Sequence, residues 1–372
     1  MKLLYATSII YPSGRANTLQ IFAMAKEFHK QLAGEFVLGG RKIDPSASSG
    51  QVSSGSDVRV VNMDAARSYV LAWKYLKFIK ENKIDAVYCR EPRLLFTMSV
   101  YNKLFFRIKL KIVYEVHTIF GNSFADPYIE RALVPFVDVY VFVTEHLQEF
   151  YVRKYGCKGS IKIVAHDAVD LGVFDLDISR EEARRKMELP ADKKIVGYFG
   201  RFKTMGMEKG IGDVLLAMKQ LPPDIVFVCV GGRQREVDYY TEEAKKLGIS
   251  DRVILRDHTT QDRIAIYEKA ADVLVMPFPK NQHYSYFMSP LKMFEYMASG
   301  RPIVATDLPS VREVLNEDNA VLVKPNDATD IARGILWLFN EPDSADKIAQ
   351  NAYEIVKNHT WEKRVAGILA KI

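Results

Sequence analysis

Ile195-Val196-Gly197-Tyr198-Phe199-Gly200-Arg201, followed by Lys209-Gly210, is the stretch that decides the fold. An apolar run ends at a glycine, a cation follows it, and a second glycine opens a helical pattern. A glycine turn at a strand end lets backbone approach a ligand, and a helix N-terminus favours anions. Arg201 offers a planar fork of donors and Lys209 a mobile point charge, a pair suited to a diphosphate. Taken alone, the two residues fit solvated surface cations equally well.

Short apolar runs separated by helical spacing extend from this point in both directions. Downstream lie Ile225–Val230, Val253–Leu255, Val273–Met276, Ile303–Ala305 and Val321–Val323. Upstream, Leu3–Ser8, Phe36–Gly39, Val58–Val61, Asp85–Tyr88, Ile112–Val116 and Val139–Val143 read as buried strands. Thr18–Leu32, Ala65–Glu81 and Glu145–Tyr155 have helical spacing. Strands alternating with helices imply βαβ units and parallel sheets. The pattern restarts at Ile195, so the 372 residues form two successive doubly wound α/β domains. The boundary is expected near 165–180, before the helix start at Ser179-Arg180-Glu181-Glu182. Pro45 to Ser56, rich in Ser and Gly, has the composition of a flexible insertion.

The chain is 48% hydrophobic and 26% charged, which excludes a disordered tail protein and a collagen-like fibre. Cys89, Cys157 and Cys229 form neither a CxxC zinc pattern nor a disulfide framework, so a reducing cytoplasm is expected. No targeting segment is read at the start of the sequence, and no run reaches bilayer-spanning length. The net charge of +6 is unevenly spread. Residues 1–166 hold 23 Lys and Arg against 14 Asp and Glu, whereas the rest hold 29 against 32. This asymmetry fits either an anionic partner of the first half or ordinary sampling of surface residues. Tyr101 to Val113 mixes aromatics with Lys103, Arg107, Lys109 and Lys111. It fits either an anionic lipid surface or a helix end followed by a buried strand.

A second motif runs from Tyr286 to Gly300. Ser289 is placed as a helix N-cap, Pro290 as the first helical residue and Gly300 as the stop. Leu291, Phe294 and Met297 share the core-facing side, which leaves Glu295 as a carboxylate among apolar neighbours, suited to a vicinal diol such as ribose.

Further segments fall into one order with these two. They are Tyr11-Pro12-Ser13-Gly14-Arg15-Ala16, Arg90-Glu91-Pro92, Tyr114-Glu115-Val116-His117 and His166-Asp167-Ala168-Val169-Asp170 with Phe174. Arg301-Pro302-Ile303-Val304-Ala305-Thr306 and Thr360-Trp361-Glu362-Lys363-Arg364 complete the set. In order and spacing the set resembles the retaining family-4 glycosyltransferases (glycosyl transferases group 1) of the GT-B fold, over most of the chain. Ala168 stands where that family usually has glycine.

The resemblance implies two Rossmann-like domains facing across a cleft. Residues 1–166 would form the acceptor side and 167–357 the nucleotide-sugar donor domain, with a helix over 358–372 packing back on the first. It implies that Arg201 and Lys209 bind the donor diphosphate, beside Gly200, and that Glu295 binds the ribose. Amides around Ser289, Pro290 and Leu291 would lie near the phosphates, although Pro290 has no N–H to give. Gly14 would let a first-domain loop approach the leaving diphosphate. His117 would sit beside the transferred sugar, or be a satisfied strand-end histidine. The family often carries a second glutamate seven residues before the ribose one; here that position is Phe287, and Lys292, Tyr286 and His283 are the candidates for its role.

The implied reaction is retaining, metal-independent sugar transfer from a nucleotide diphosphate sugar to an acceptor hydroxyl, in cell-surface glycan or glycolipid assembly. No cofactor is expected; UDP is the first expectation for the base and GDP the second. Arg201, Lys209 and His117 would carry the chemistry, with charge stabilisation on the departing diphosphate as the main lever. Asp175 and Asp177 form a DxD pattern but are read as solvated charge. A GT-B-like nucleotide-sugar epimerase and a non-catalytic nucleotide-sugar-binding partner are the alternatives. A dinucleotide dehydrogenase is disfavoured, because no GxGxxG follows either opening strand. The expected location is cytoplasmic, with peripheral contact at the inner membrane face through the first domain and no nucleic-acid partner.

Overall fold

The computed structural model describes residues 1–11, 16–44, 58–118, 126–157, 159–204 and 206–372. The chain divides into two compact units, Met1–His166 with Trp361–Ile372, and Asp167–Thr360.

The first unit is built on a parallel sheet of β1 (Lys2–Ala6), β2 (Glu35–Gly40), β3 (Arg59–Asn62), β4 (Ala86–Cys89), β5 (Lys111–Val116), β6 (Val139–Phe142) and β7 (Ile161–Val164). The spatial order is β3-β2-β1-β4-β5-β6-β7. The central strands are sealed: Leu3 to Ala6, Ala86 to Cys89 and Val139 to Phe142 have no accessible surface. Such strands read as continuous apolar runs because helices cover both faces of a parallel sheet. Edge strand β7 is half-exposed and includes Lys162, and it escaped the sequence reading for that reason. The crossovers include α1 (Ala16–Gln31), α2 (Ser68–Asn82), α3 (Pro92–Tyr101) and α4 (Glu145–Tyr155). Helix α4 starts where the Thr144 hydroxyl accepts from the Leu147 amide. After α3 the chain makes a π-helical turn over Asn102–Phe106, with Leu104 and Phe105 exposed, and then enters β5, so the buried-strand reading holds from Lys111 onward. The C-terminal helix Trp361–Leu369 packs on α1. The Ser-rich insertion and Gly14 lie outside the described residues.

The second unit repeats the plan with β8 (Lys194–Phe199), β9 (Ile225–Gly232), β10 (Val253–Asp257), β11 (Val273–Met276), β12 (Ile303–Thr306) and β13 (Val321–Val323). Their order is β10-β9-β8-β11-β12-β13, every neighbouring pair parallel. Alternate residues of β9 feed two cores: Val226, Val228 and Val230 join one, and Phe227 and Cys229 the other. The strand order reverses between β8 and β11, the switch point beyond whose carboxyl ends open α/β sheets bind ligands. Three helices border that region: α5 (Ile211–Met218), α6 (Gln261–Ala270) and α7 (Leu291–Ser299).

Two local expectations are corrected. Helix α7 begins at Leu291, with Pro290 extended before it at φ −83° and ψ 126°. Ser289 is not its cap, because the Ser289 hydroxyl accepts from the Asp167 amide at 2.8 Å. Asp175 of the DxD pattern is tied rather than merely solvated: its carboxylate accepts from the Tyr353 hydroxyl at 2.6 Å and pairs with Lys269 at 3.7 Å. Among the described residues no helix is long and apolar enough to cross a membrane.

Candidate functional site

Strand β8 delivers its glycine turn at the switch point. Gly200 has φ +127°, a region L side chains avoid, and its N–H donates to Val230 O at 2.8 Å. The Tyr198 hydroxyl donates to the Arg201 carbonyl at 2.9 Å, which fixes the backbone that carries the guanidinium. Gly210 caps α5 in the left-handed conformation. A Cβ there would lie 1.7 Å from Pro277 O, just past the end of β11, so only glycine lets this loop close over the strand ends.

Lys209 precedes that cap. Its Nζ stands 5.0 Å from the Phe278 ring and 5.4 Å from the Tyr284 ring, so its stem rests on aromatic surface. Burial and the Arg201 guanidinium push its pKa down to about 8. The sequence-chosen pair is therefore close enough for each charge to feel the other. Burial and Lys209 in turn push His283 down to about 4, which leaves that imidazole neutral at pH 7.

Helix α7 is clamped to the same turn. The Tyr296 hydroxyl accepts from the Phe199 amide at 2.8 Å. This fixes where Glu295 and Lys292 project. Burial raises the Glu295 carboxyl above its ordinary range, while Lys292 and a hydrogen bond with Gln261 pull it back. Glu268 of α6 is fully buried and neither carboxyl oxygen has a partner. Burial and the nearby Glu295 hold its pKa well above normal, so it stands as the neutral acid. Sequence reading missed Glu268, since nothing in a 27-residue separation announces that two carboxylates on different helices will meet. Phe287, at the unfilled glutamate position, is 1% exposed in a π-helical turn and belongs to the core packing.

Arg201, Lys209, Lys292 and Glu295 thus form one electrostatically connected group at the end of β8 and the start of α7. Ser289, Pro290 and Leu291 lead into α7, whose first-turn amides have no intrahelical acceptors. The arrangement suits a diphosphate against the cations and a diol against Glu295.

His117 belongs to the other unit, just past β5. Its Nε2 lies 2.8 Å from Glu115 Oε1. Glu115 is 2% exposed and also accepts from Tyr88, at 2.5 Å, and from Arg364 of the C-terminal helix, at 2.9 Å. Burial alone would raise this carboxyl, but Arg364 and His117 hold it well below the usual range. A carboxylate only accepts, so His117 Nε2 carries the proton in that bond.

Residues 24–172 match the family model described as Glycosyltransferase Family 4, and residues 179–355 match Glycosyl transferases group 1. A D-inositol 3-phosphate glycosyltransferase of Xylanimonas cellulosilytica is 27% identical over 249 residues, covering 64% of this chain and 58% of the relative. The Streptomyces bingchenggensis protein of the same name is 26% identical over 247 residues, covering 64% and 53%. The chain thus spans little more than half the length of these relatives. Among solved structures, Anabaena HepE in complex with UDP superposes with a TM-score of 0.77 at 19% identity, covering all of both chains. At that identity the likeness establishes the fold.

Proposed function

The chain belongs to the group 1 glycosyltransferases, with the GT-B architecture of two Rossmann-like units, and on that premise we propose that it moves a sugar from a nucleoside diphosphate sugar to an acceptor hydroxyl. What supports the reading is a chain of charges: Arg201, past the end of β8, acts on Lys209, and Lys292 of α7 is influenced by both Lys209 and Glu295. Fixed cations stabilise the negative charge that builds on a departing diphosphate, and they do so without a metal ion. Retention at the anomeric carbon and UDP as the first base, GDP the second, complete the proposal; binding of UDP by the structurally similar HepE supports the choice of UDP. His117, oriented by Glu115, is assigned to the transferred sugar.

The acceptor side adds a glycan or glycolipid assignment. In the first unit Trp73, Tyr101, Phe105 and Phe106 form a cluster of edge-on rings, with Trp73 45%, Leu104 58% and Phe105 62% exposed. Lys103, Arg107 and Lys109 flank it in sequence. Exposed aromatics among cations suit the headgroup region of an anionic bilayer. Cosedimentation with phosphatidylglycerol vesicles at low salt, lost at high salt, supports this contact; no sedimentation at low salt removes it.

A thermal-shift screen against UDP-, GDP- and ADP-sugars tests the donor assignment. A bound donor raises the melting temperature by mass action. A selective rise with one base names the donor, and the absence of any rise at millimolar concentrations refutes the reading.

A further inference from the structure

Lys292 is 8% exposed, and its Nζ makes no hydrogen bond. Lysine is almost never buried to that degree without a partner. The amine stands 3.4 Å from the centroid of the Tyr198 ring and 5.9 Å from those of Phe278 and Tyr296. Phe278 is also the ring nearest Lys209 Nζ, so the two amines converge on one aromatic floor. Above Lys292 lies the glycine turn: a Cβ on Gly200 would come within 3.1 Å of Nζ. The backbone therefore omits a side chain at the point where this amine reaches the turn that leads to Arg201.

A structural role would pair the amine with a carboxylate. The two acids that influence it, Glu295 and Glu268, are near enough to bias its protonation, yet neither is hydrogen-bonded to Nζ, and the Glu268 oxygens are themselves without partners. Among the described residues no anion of the chain is hydrogen-bonded to Lys292 Nζ. We propose that Lys292 is a third cation of the donor site, binding the diphosphate of the nucleoside diphosphate together with Arg201 and Lys209. This rests on the donor reading above and adds a residue to its diphosphate site. In the empty site, burial and Lys209 depress the Lys292 pKa, while Cys229, Glu295 and Glu268 raise it. Arrival of a diphosphate reverses that balance, and binding takes up protons from solvent.

The test is calorimetric titration of the full chain and of Lys292→Met and Lys292→Gln at pH 8, in two buffers of different ionisation enthalpy. The probes are UDP, GDP, inorganic diphosphate and uridine. Expected results are a roughly 10- to 100-fold loss of affinity for UDP and for diphosphate in both variants, and a smaller proton uptake than in the parent chain. Uridine binding stays unchanged. The unliganded variants melt close to the parent, because the amine they replace is a buried polar group with no hydrogen-bond partner. Parent-like UDP affinity and proton uptake in the variants overturn the proposal, as does loss of folding in both, which marks Lys292 as structural. A parent chain that binds neither UDP nor GDP refutes the donor reading itself, a separate outcome.

Discussion

On the proposed donor reading, loss of the Lys209 proton weakens the site on the alkaline side. The diphosphate needs the ammonium form, and the unliganded side chain titrates near pH 8 rather than at the ordinary 10.5. The profile of kcat/KM for the donor reports the free enzyme, so it should fall about tenfold per pH unit above 8. On the acid side, the raised Glu295 carboxyl must ionise to accept from a diol, which narrows the bell from below. Arg201→Ala is expected to lower the transfer rate at least ~10²-fold, as losing a charge-stabilising donor does. Because the guanidinium is one of the two causes of the depressed lysine, the same variant moves the alkaline limb to higher pH. A pH–rate series on parent and variant checks both; an unmoved limb removes Lys209 from the assignment. Arg201 and Lys209 stand out in the sequence beside glycines at a strand end and a helix start, and Glu295 as a carboxylate among the apolar residues of a helix. Glu268 does not, since its meaning comes only from the packing of α6 against α7.

At the scale of elements, the six strands of the second unit fall within a residue or two of their apolar runs; the inner ones are buried on both faces with no polar interruption, whereas edge strand β10 runs two residues past its apolar run into Arg256 and Asp257. Ser289 shows the opposite case. Its sequence context reads as a cap, but its hydroxyl is spent on the Asp167 amide 122 positions away, and no local rule contains that bond. Loop closure over β11 depends on one backbone conformation. Gly210→Ala places a Cβ against Pro277 O in a left-handed residue, and should lower the unfolding free energy by roughly 2 kcal/mol or more. Gly212, inside α5 with no atom within 4 Å of its virtual Cβ, is the control. Gly212→Ala should stabilise by about 0.5–1 kcal/mol. Urea unfolding of the two variants separates conformational demand from mere helix propensity; equal effects of one sign would contradict the argument.

Across the whole molecule, the order of the chain and the order of the units differ, since Trp361–Ile372 joins the unit that begins at Met1. Sequence pattern places a helix there, but what that helix does is visible only in its contacts. Arg364 is 7% exposed; its guanidinium donates to the carbonyls of His166 and Ala165 and to the Glu115 carboxylate that holds His117. The last turns of the chain thus hold an ionised acid in the core of the first unit. Arg364→Met leaves Glu115 buried beside His117 and Tyr88 without its fixed cation, and breaking a buried pair in this way costs about 3–5 kcal/mol. The carboxyl's depressed pKa should then rise, because burial, which opposes ionisation, is no longer offset by Arg364. Adding Glu115→Gln removes the stranded charge and should restore part of the loss. Calorimetry with and without UDP locates the damage. The transition that UDP shifts, assigned to Asp167–Thr360, should keep its midpoint in Arg364→Met while the other transition falls. A matching fall in both would show instead that the two units unfold as one.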